Sequence, residues 1–433
     1  MTENISTKTP VSNSSLRGLE SYEAIILAGG LGTRLRSVVA DLPKCMAPVA
    51  GRPFLFHVIN YLRSQGVEKF IFSLGYMHEA IEDYLKDQFA TLRYQVVIEN
   101  EPLGTGGAAR LACMKATEKN VLLANGDTMF KINGAAFSSF HEKNKSACTL
   151  SLKPMNDFDR YGVVELNEDN SIKSFKEKQH YESGLINGGI YALNVEQFVS
   201  EDFPEKFSFE KDYLEKKFTA RKMYGIVQDE YFIDIGIPED FSRAQQEFSL
   251  PSLDLKNIDK SWTLFLDRDG VINHEKPASY VFTPYEFIFY DGALESFKTF
   301  AGKFNRIIIV TNQRGIGKGL MTDDDLTIIH KKLVDAVKNE GAEIGNIYYS
   351  TSLDNFYPTR KPNPGMAFLA KNDFPEIDFS KSIMVGNNSS DMQFGRNAGM
   401  HTVFLKTTKP NQAVPHPDID FAFNSLADFA KAL

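Results

Sequence analysis

From residue 23 the chain alternates short β-branched and aliphatic runs, AIIL, KFIFSL, YQVVIE and NVLLAN, with longer mixed stretches such as FLFHVINYLRSQG, whose apolar residues recur at helical spacing. This alternation predicts strands joined by covering helices. A second series starts at TLFLD and continues through RIIIVTN, NIYYST, SIMVGN and HTVFL, separated by helical stretches such as DDDLTIIHKKLVDAVKN. Between the two, QQEFSLPSLDLKNIDKSW has no clear period. The expectation is two unlike α/β domains, each a Rossmann-like three-layer α/β/α unit, over residues 21–247 and 261–433, with a connector at 248–260. The halves share no motif, so no internal repeat is expected. Residues 1–20 are rich in Ser, Thr and Asn, predict a loose tail and lack the basic start and apolar centre of a signal peptide.

Length agrees with two cores, because 433 residues exceed one compact domain of common size. A formal net charge of −8 argues against general affinity for nucleic acid or an anionic membrane, so any phosphate site must be local. No apolar run approaches the ~20 residues that would span a bilayer. Cys45, Cys113 and Cys148 form no C-x-x-C pair, which indicates neither a disulfide framework nor a zinc ribbon and fits a cytoplasmic protein.

The chemistry begins where the first strand ends. In AIILAGGLGTRL, Gly29, Gly30 and Gly32 would let backbone N–H groups approach a phosphate before Arg34 adds charge. The stretch is neither a dinucleotide G-x-G-x-x-G nor a Walker loop. LPKCMAPVAGRPF then supplies Lys44, EPLGTGGA a second glycine-rich loop, NGD an Asp127 at a strand end, and FIDIGIPED an Asp234. In this order the motifs resemble those of the sugar-1-phosphate nucleotidyltransferases, over about residues 23–247, and their wording is most like the D-glycero-D-manno-heptose 1-phosphate guanylyltransferases. The resemblance implies that Arg34 and Lys44 act on the nucleoside triphosphate, that Leu27, Gly29, Gly30, Gly32, Thr33, Gly104 and Thr105 cradle it, and that Asp127 and Asp234 hold Mg²⁺. It places Glu177, Lys178, Asn187 and Gly188 at the sugar phosphate, and Cys45, where relatives often carry proline, outside catalysis. Such a site must bring two anions together, which is why cations and glycine loops are needed.

The second series opens with LFLDRDGVIN, whose Asp267 and Asp269 suit a nucleophile and a proton carrier two residues apart. Thr311 and Asn312 in IIIVTNQRGIGKG, Arg360 and Lys361 in RKPNPGM, and Asp391 in VGNNSSDM follow. The set resembles the haloacid dehalogenase-type phosphatases from residue 262 to about 430, most closely those acting on D-glycero-D-manno-heptose 1,7-bisphosphate at the 7-phosphate. The resemblance implies that Asp267 becomes phosphorylated, that Thr311, Asn312 and Lys361 hold the phosphoryl group, that Arg360 contacts substrate, and that Asp267, Asp269 and position 387 ligate Mg²⁺. Two departures stand out. YYSTSLDNFYPT lacks the Cys and His of the zinc loop many members carry, so no zinc is expected. Position 387 is Asn387 where the family carries aspartate, which removes a charge from a hard-cation site. The expected function is a bifunctional enzyme using GTP and heptose phosphates; the alternatives are a nucleotidyltransferase with a weak or inactive phosphatase-like scaffold or sensor domain, or action on another sugar such as mannose 1-phosphate. Oligomeric state is not legible.

Overall fold

The computed structural model describes residues 23–30 and 42–433. The chain divides into two compact units with the boundary between Ser249 and Leu250.

The first unit is built on a nine-stranded sheet. Its centre is parallel: Asn120–Asn125, Glu23–Leu27, Lys69–Leu74 and Arg93–Ile98 lie side by side in that order. These strands read as continuous apolar runs because both faces are covered; Ile26 and Phe72 pack into one core layer, Ile25 and Ile71 into the other. The long strand Tyr181–Asn194 joins antiparallel to Asn120–Asn125 and carries Cys148–Phe158 beyond it. Helices Phe54–Ser64, His78–Gln88 and Gly104–Cys113 connect the parallel strands.

The second unit holds a six-stranded, wholly parallel sheet in the order Asn346–Ser350, Arg306–Asn312, Thr263–Leu266, Ser382–Gly386, His401–Leu405, Phe421–Phe423. The strand order reverses on either side of Thr263–Leu266, and such a switch point opens a crevice at the carboxyl ends of the strands. Helices Asp323–Asn339, Gly365–Asp373 and Ser389–Ala398 belong to the connections.

Two sequence expectations change. EPLGTGGA is not a loop: the helix Gly104–Cys113 begins at its first glycine, which has φ +72°. Its glycines serve close packing, since a Cβ on Gly106 would stand 2.3 Å from the Phe207 ring. Residues 248–260 do not form a free connector, because Leu253, Leu255 and Ile258 are buried in the second core. Their apolar spacing was too irregular to announce this.

Candidate functional site

In the first unit a cavity of about 850 Å³ opens at the carboxyl ends of the parallel strands. Leu27 ends one strand and Gly29 and Gly30 follow it, Gly75 and Tyr76 follow the next and Glu99 and Asn100 a third, and Asn125 ends the fourth with Asp127 after it. Gly104 and Thr105 line it at the helix start, with the Thr105 hydroxyl donating to Glu210 at 2.7 Å and accepting from Phe209 N–H at 2.9 Å. Lys44 projects from a short 3₁₀ turn, its Nζ 2.5 Å from Asp127 Oδ2 and 3.1 Å from Asp234 Oδ1. Burial works against the Lys44 charge, but the pull of the two carboxylates outweighs it and raises the ammonium above its ordinary value. Gly236 makes the cluster possible, since a Cβ there would come 2.7 Å from Lys44 Nζ. Cys45 also lines the cavity, buried, with its thiol pushed up to about 12 chiefly by burial and next by Asp127, so it stays neutral.

The expected sugar residues lie elsewhere than on the cavity wall. Asn187 is committed, its Nδ2 donating to Tyr191 at 2.8 Å and its Oδ1 accepting from Gly189 N–H at 3.1 Å. Gly188 lets the strand pass Phe130, where a Cβ would stand 2.2 Å from the ring. Glu177 and Lys178 are exposed beyond the strand Ile172–Lys176. Gly32, Thr33 and Arg34 lie outside the described residues. Sequence reasoning missed Glu99, whose Oε2 accepts from Leu103 N–H at 3.0 Å while Oε1 would lie 2.5 Å from a Cβ on Gly29. Burial raises this carboxyl.

In the second unit Asp267 follows the strand Thr263–Leu266 directly. Lys361 reaches it from another connection, its Nζ 2.9 Å from Asp267 Oδ1, 2.7 Å from Asp391 Oδ1 and donating to Val310 O at 2.9 Å. Asn312 fixes that lysine by pairing with its backbone, Nδ2 to Lys361 O at 3.2 Å and Lys361 N–H to Oδ1 at 3.1 Å. Burial pushes the Asp267 carboxyl up to about 7 against the pull of Lys361, with Asp391 adding to the rise. Thr311 is buried and accepts from Gln313 Nε2 at 2.9 Å.

The carboxylates of Asp269 and the amide of Asn387 do not form the cation cage that the sequence suggested. Asp269 is gripped by Arg268 Nη2 at 2.8 Å, Asn273 Nδ2 at 2.9 Å and Gln313 Nε2 at 3.0 Å. Burial would raise its carboxyl, yet Arg268 and the amide donors together lower it below the usual range. Asn387 is wholly buried, donating to Thr408 at 2.8 Å and Glu275 at 3.3 Å and accepting from Asn388 at 3.3 Å. Among the described residues no group of three or more His, Cys, Asp and Glu is arranged to hold a metal ion. Glu275, Arg268 and Gln313 were missed; their roles come from contacts the sequence does not display.

The profile of the nucleotidyl transferase family matches residues 23–249, more than half of the chain. The chain belongs to the nucleotidyl transferase family. In this nucleotidyltransferase a HAD-hydrolase-like profile also matches residues 358–429, the stretch carrying Lys361, Asn387 and Asp391, so a HAD-like domain is fused at the C-terminal side. Among the relatives, a D-glycero-alpha-D-manno-heptose 1-phosphate guanylyltransferase of Aneurinibacillus thermoaerophilus is 50% identical over 225 residues, 52% of this chain and 97% of that protein. The protein of the same name from Campylobacter jejuni is 44% identical over 219 residues, 51% of this chain and 96% of that one. The crystal structure of HddC from Yersinia pseudotuberculosis is 40% identical, covers 53% of this chain and 100% of that one, and superposes with a TM-score of 0.48. Within the nucleotidyltransferase and its HAD-like partner, no described helix is long and apolar enough to cross a membrane.

Proposed function

We propose that this chain is a bifunctional cytoplasmic enzyme of GDP-heptose biosynthesis, with a transferase domain that ends near residue 249 and a phosphatase domain that begins at about residue 250. The first would transfer GMP from GTP to heptose 1-phosphate and release pyrophosphate; the second would hydrolyse the 7-phosphate of heptose 1,7-bisphosphate. The observation that carries the transferase reading is the Lys44–Asp127–Asp234 cluster on a cavity at the strand ends, in a chain that is 50% identical over 225 residues to a heptose 1-phosphate guanylyltransferase. Lys44 neutralises growing charge on the leaving pyrophosphate, while Glu99, an acceptor on the cavity wall, faces the bound nucleotide.

Two hard-oxygen carboxylates already converge on one cation at Lys44, so that donor set fits Mg²⁺; in the second site Asp267 alone offers such a donor. When bound, Mg²⁺ would neutralise phosphate oxygens, with Asp127 and Asp234 holding it in the first site and Asp267 in the second. In the second site Asp267 attacks phosphorus as the sugar O–P bond breaks, and Asp269 supplies the proton that the sugar oxygen takes. Water then attacks the aspartyl phosphate, giving its proton to Asp269 and releasing inorganic phosphate. Lys361 orients the nucleophile and holds the phosphoryl oxygens.

A second reading, an active transferase with an inactive phosphatase-like scaffold, is favoured by Asn387 alone. Incubation of the purified chain with heptose 1,7-bisphosphate, GTP and Mg²⁺ separates the two. Release of both inorganic phosphate and pyrophosphate is expected; pyrophosphate release from heptose 1-phosphate with no phosphate release from the bisphosphate would leave only the scaffold reading.

A further inference from the structure

Two side chains that the second unit's chemistry needs stand on different strand ends, Asp269 beyond Thr263–Leu266 and Thr311 near the end of its parallel neighbour Arg306–Asn312. Gln313, the residue that follows the second of these strands, joins them. Its amide nitrogen donates to Asp269 Oδ2 at 3.0 Å and to Thr311 Oγ1 at 2.9 Å, and its amide oxygen accepts from Arg268 Nη2 at 3.2 Å. Its backbone N–H donates to Ser350 O at 2.7 Å, which fastens the same residue to the end of a third strand, Asn346–Ser350. Gln313 is buried, and both hydrogens and the oxygen of its amide are engaged.

Each contact removes a freedom that the reaction could not tolerate. Because the Thr311 oxygen accepts from Gln313, its own hydroxyl hydrogen turns away from the amide, and among the described residues none accepts it. That hydrogen is available to a phosphoryl oxygen. Asp269 also receives Arg268, its neighbour in sequence, and Asn273, four residues on, so Gln313 alone ties this carboxylate to the next strand. Without the amide, nothing but backbone would set the group that moves the proton against the group that holds the phosphoryl oxygens. A misplacement of about 1 Å between reacting groups costs on the order of a hundredfold in rate.

We propose that Gln313 is a positioning residue for phosphoryl transfer, holding Asp269 in register with the phosphoryl group at Thr311 so that the leaving oxygen is protonated as it departs. In that step an Asp267 oxygen bonds to phosphorus, the sugar O–P bond breaks, and the electron pair left on the sugar oxygen takes the proton carried by Asp269. Gln313 exchanges no proton itself. A neutral amide suits the place, because its two hydrogens serve two acceptors at once, whereas a carboxylate there would offer neither and would repel Asp269. This rests on the phosphatase reading above and adds to it a residue that acts through Asp269 and Thr311.

The test measures kcat/KM for phosphate release by the full chain, with Mg²⁺, from two compounds: heptose 1,7-bisphosphate, whose alkoxide must take a proton to leave, and p-nitrophenyl phosphate, whose phenolate leaves without one. Gln313→Met fills the same space with no donor and should lower kcat/KM on the order of thirtyfold for the sugar and less than about threefold for the aryl phosphate. A smaller folded fraction would lower both by one factor. Gln313→Glu keeps the length and the acceptor for Arg268, should show the same split, and carries the test if the Met variant does not fold. Equal factors for the two compounds, or no change in either, overturn the inference and leave the phosphatase reading standing; no release from either compound by wild type removes both. If wild type cleaves only the bisphosphate, the affinity of Asp267 for trifluoroberyllate, a mimic of its phosphoryl group, decides by fluorine NMR. Binding on the order of tenfold weaker in Gln313→Met supports the inference; equal affinity, or no binding by wild type, overturns it.

Discussion

Both units place a lysine between two aspartates, and they differ in how dry that arrangement is. Lys44, Asp127 and Asp234 keep 16%, 32% and 29% of their side-chain surface exposed; Lys361, Asp267 and Asp391 keep 2%, 11% and 1%. Water screens the first trio, so its ammonium can yield its place to an incoming cation or triphosphate at little cost. The second trio has almost no water to replace a missing partner, and each member depends on the others for being charged at all. One cluster is suited to exchanging ions, the other to fixing a nucleophile.

The sharpest way to break this contrast is at Asp267. Asp267→Asn should leave no detectable phosphate release from heptose 1,7-bisphosphate while pyrophosphate release from heptose 1-phosphate and GTP persists at the wild-type rate. Parallel loss of both activities would show that the two clusters do not work separately.

Removing the lysines should separate stability from rate. Lys361→Met strands two buried carboxylates and should destabilise the second unit by about 3–5 kcal/mol, read as a lowered midpoint in chemical denaturation. Lys44→Met should cost only about 1 kcal/mol of stability but on the order of a hundredfold in pyrophosphate release. Equal destabilisation by both would remove the distinction between wet and dry clusters.

Acid should also tell the units apart. Burial lowers His57 and His141 in the first unit to about 4, and His330 in the second to about 3. An imidazole whose folded value lies below its unfolded one stabilises the fold above about 6.5, and that stability is lost as pH falls toward the folded value, roughly 3 kcal/mol for each of His57 and His141 and roughly 5 kcal/mol for His330. Asp267, raised to about 7, works the other way: its stability is present at low pH and lost as pH rises through 7. Without Mg²⁺, the first unit should therefore lose more stability than the second between pH 7 and 5, measured as separate melting transitions in calorimetry. A second unit that loses about half as much as the first would mean that Asp267 is ionised throughout, and a larger loss there would overturn the ordering.

The smallest expected effect is at Asn387. Asn387→Asp turns a donor toward Glu275 and Thr408 into a like charge beside Glu275, and should lower the second unit's stability by about 1–2 kcal/mol without metal. Added Mg²⁺ should recover that loss and raise phosphate release; a melting temperature that Mg²⁺ leaves unmoved in the variant would argue against position 387 as a ligand.

How much of this was legible depended on whether the signal was local. The run AIILAGG ends a strand in glycine, and LFLDRDG ends one in acids, so strand-end chemistry could be read directly from neighbours in sequence. Lys44 meeting Asp234 spans 190 positions and was reached only through the order of motifs. Glu99 against Gly29, Gly236 beneath Lys44, and Gln313 linking Thr311 to Asp269 have no such periodic or motif signature, because they arise from how connections fold over the strand ends. Asn187 shows the reverse: a motif position whose amide the fold spends on Tyr191 and Gly189.

The burial of Leu253, Leu255 and Ile258 bears on where this gene can be cut. Between the end of helix Pro238–Glu247 and Leu253 only a handful of residues remain, with Ser249, Pro251 and Ser252 exposed to a protease. Nicking there would leave a carboxyl-terminal fragment with its hydrophobic anchor intact. Recloning that fragment from residue 261, where the regular strand pattern resumes, would discard three core side chains and yield material prone to aggregate.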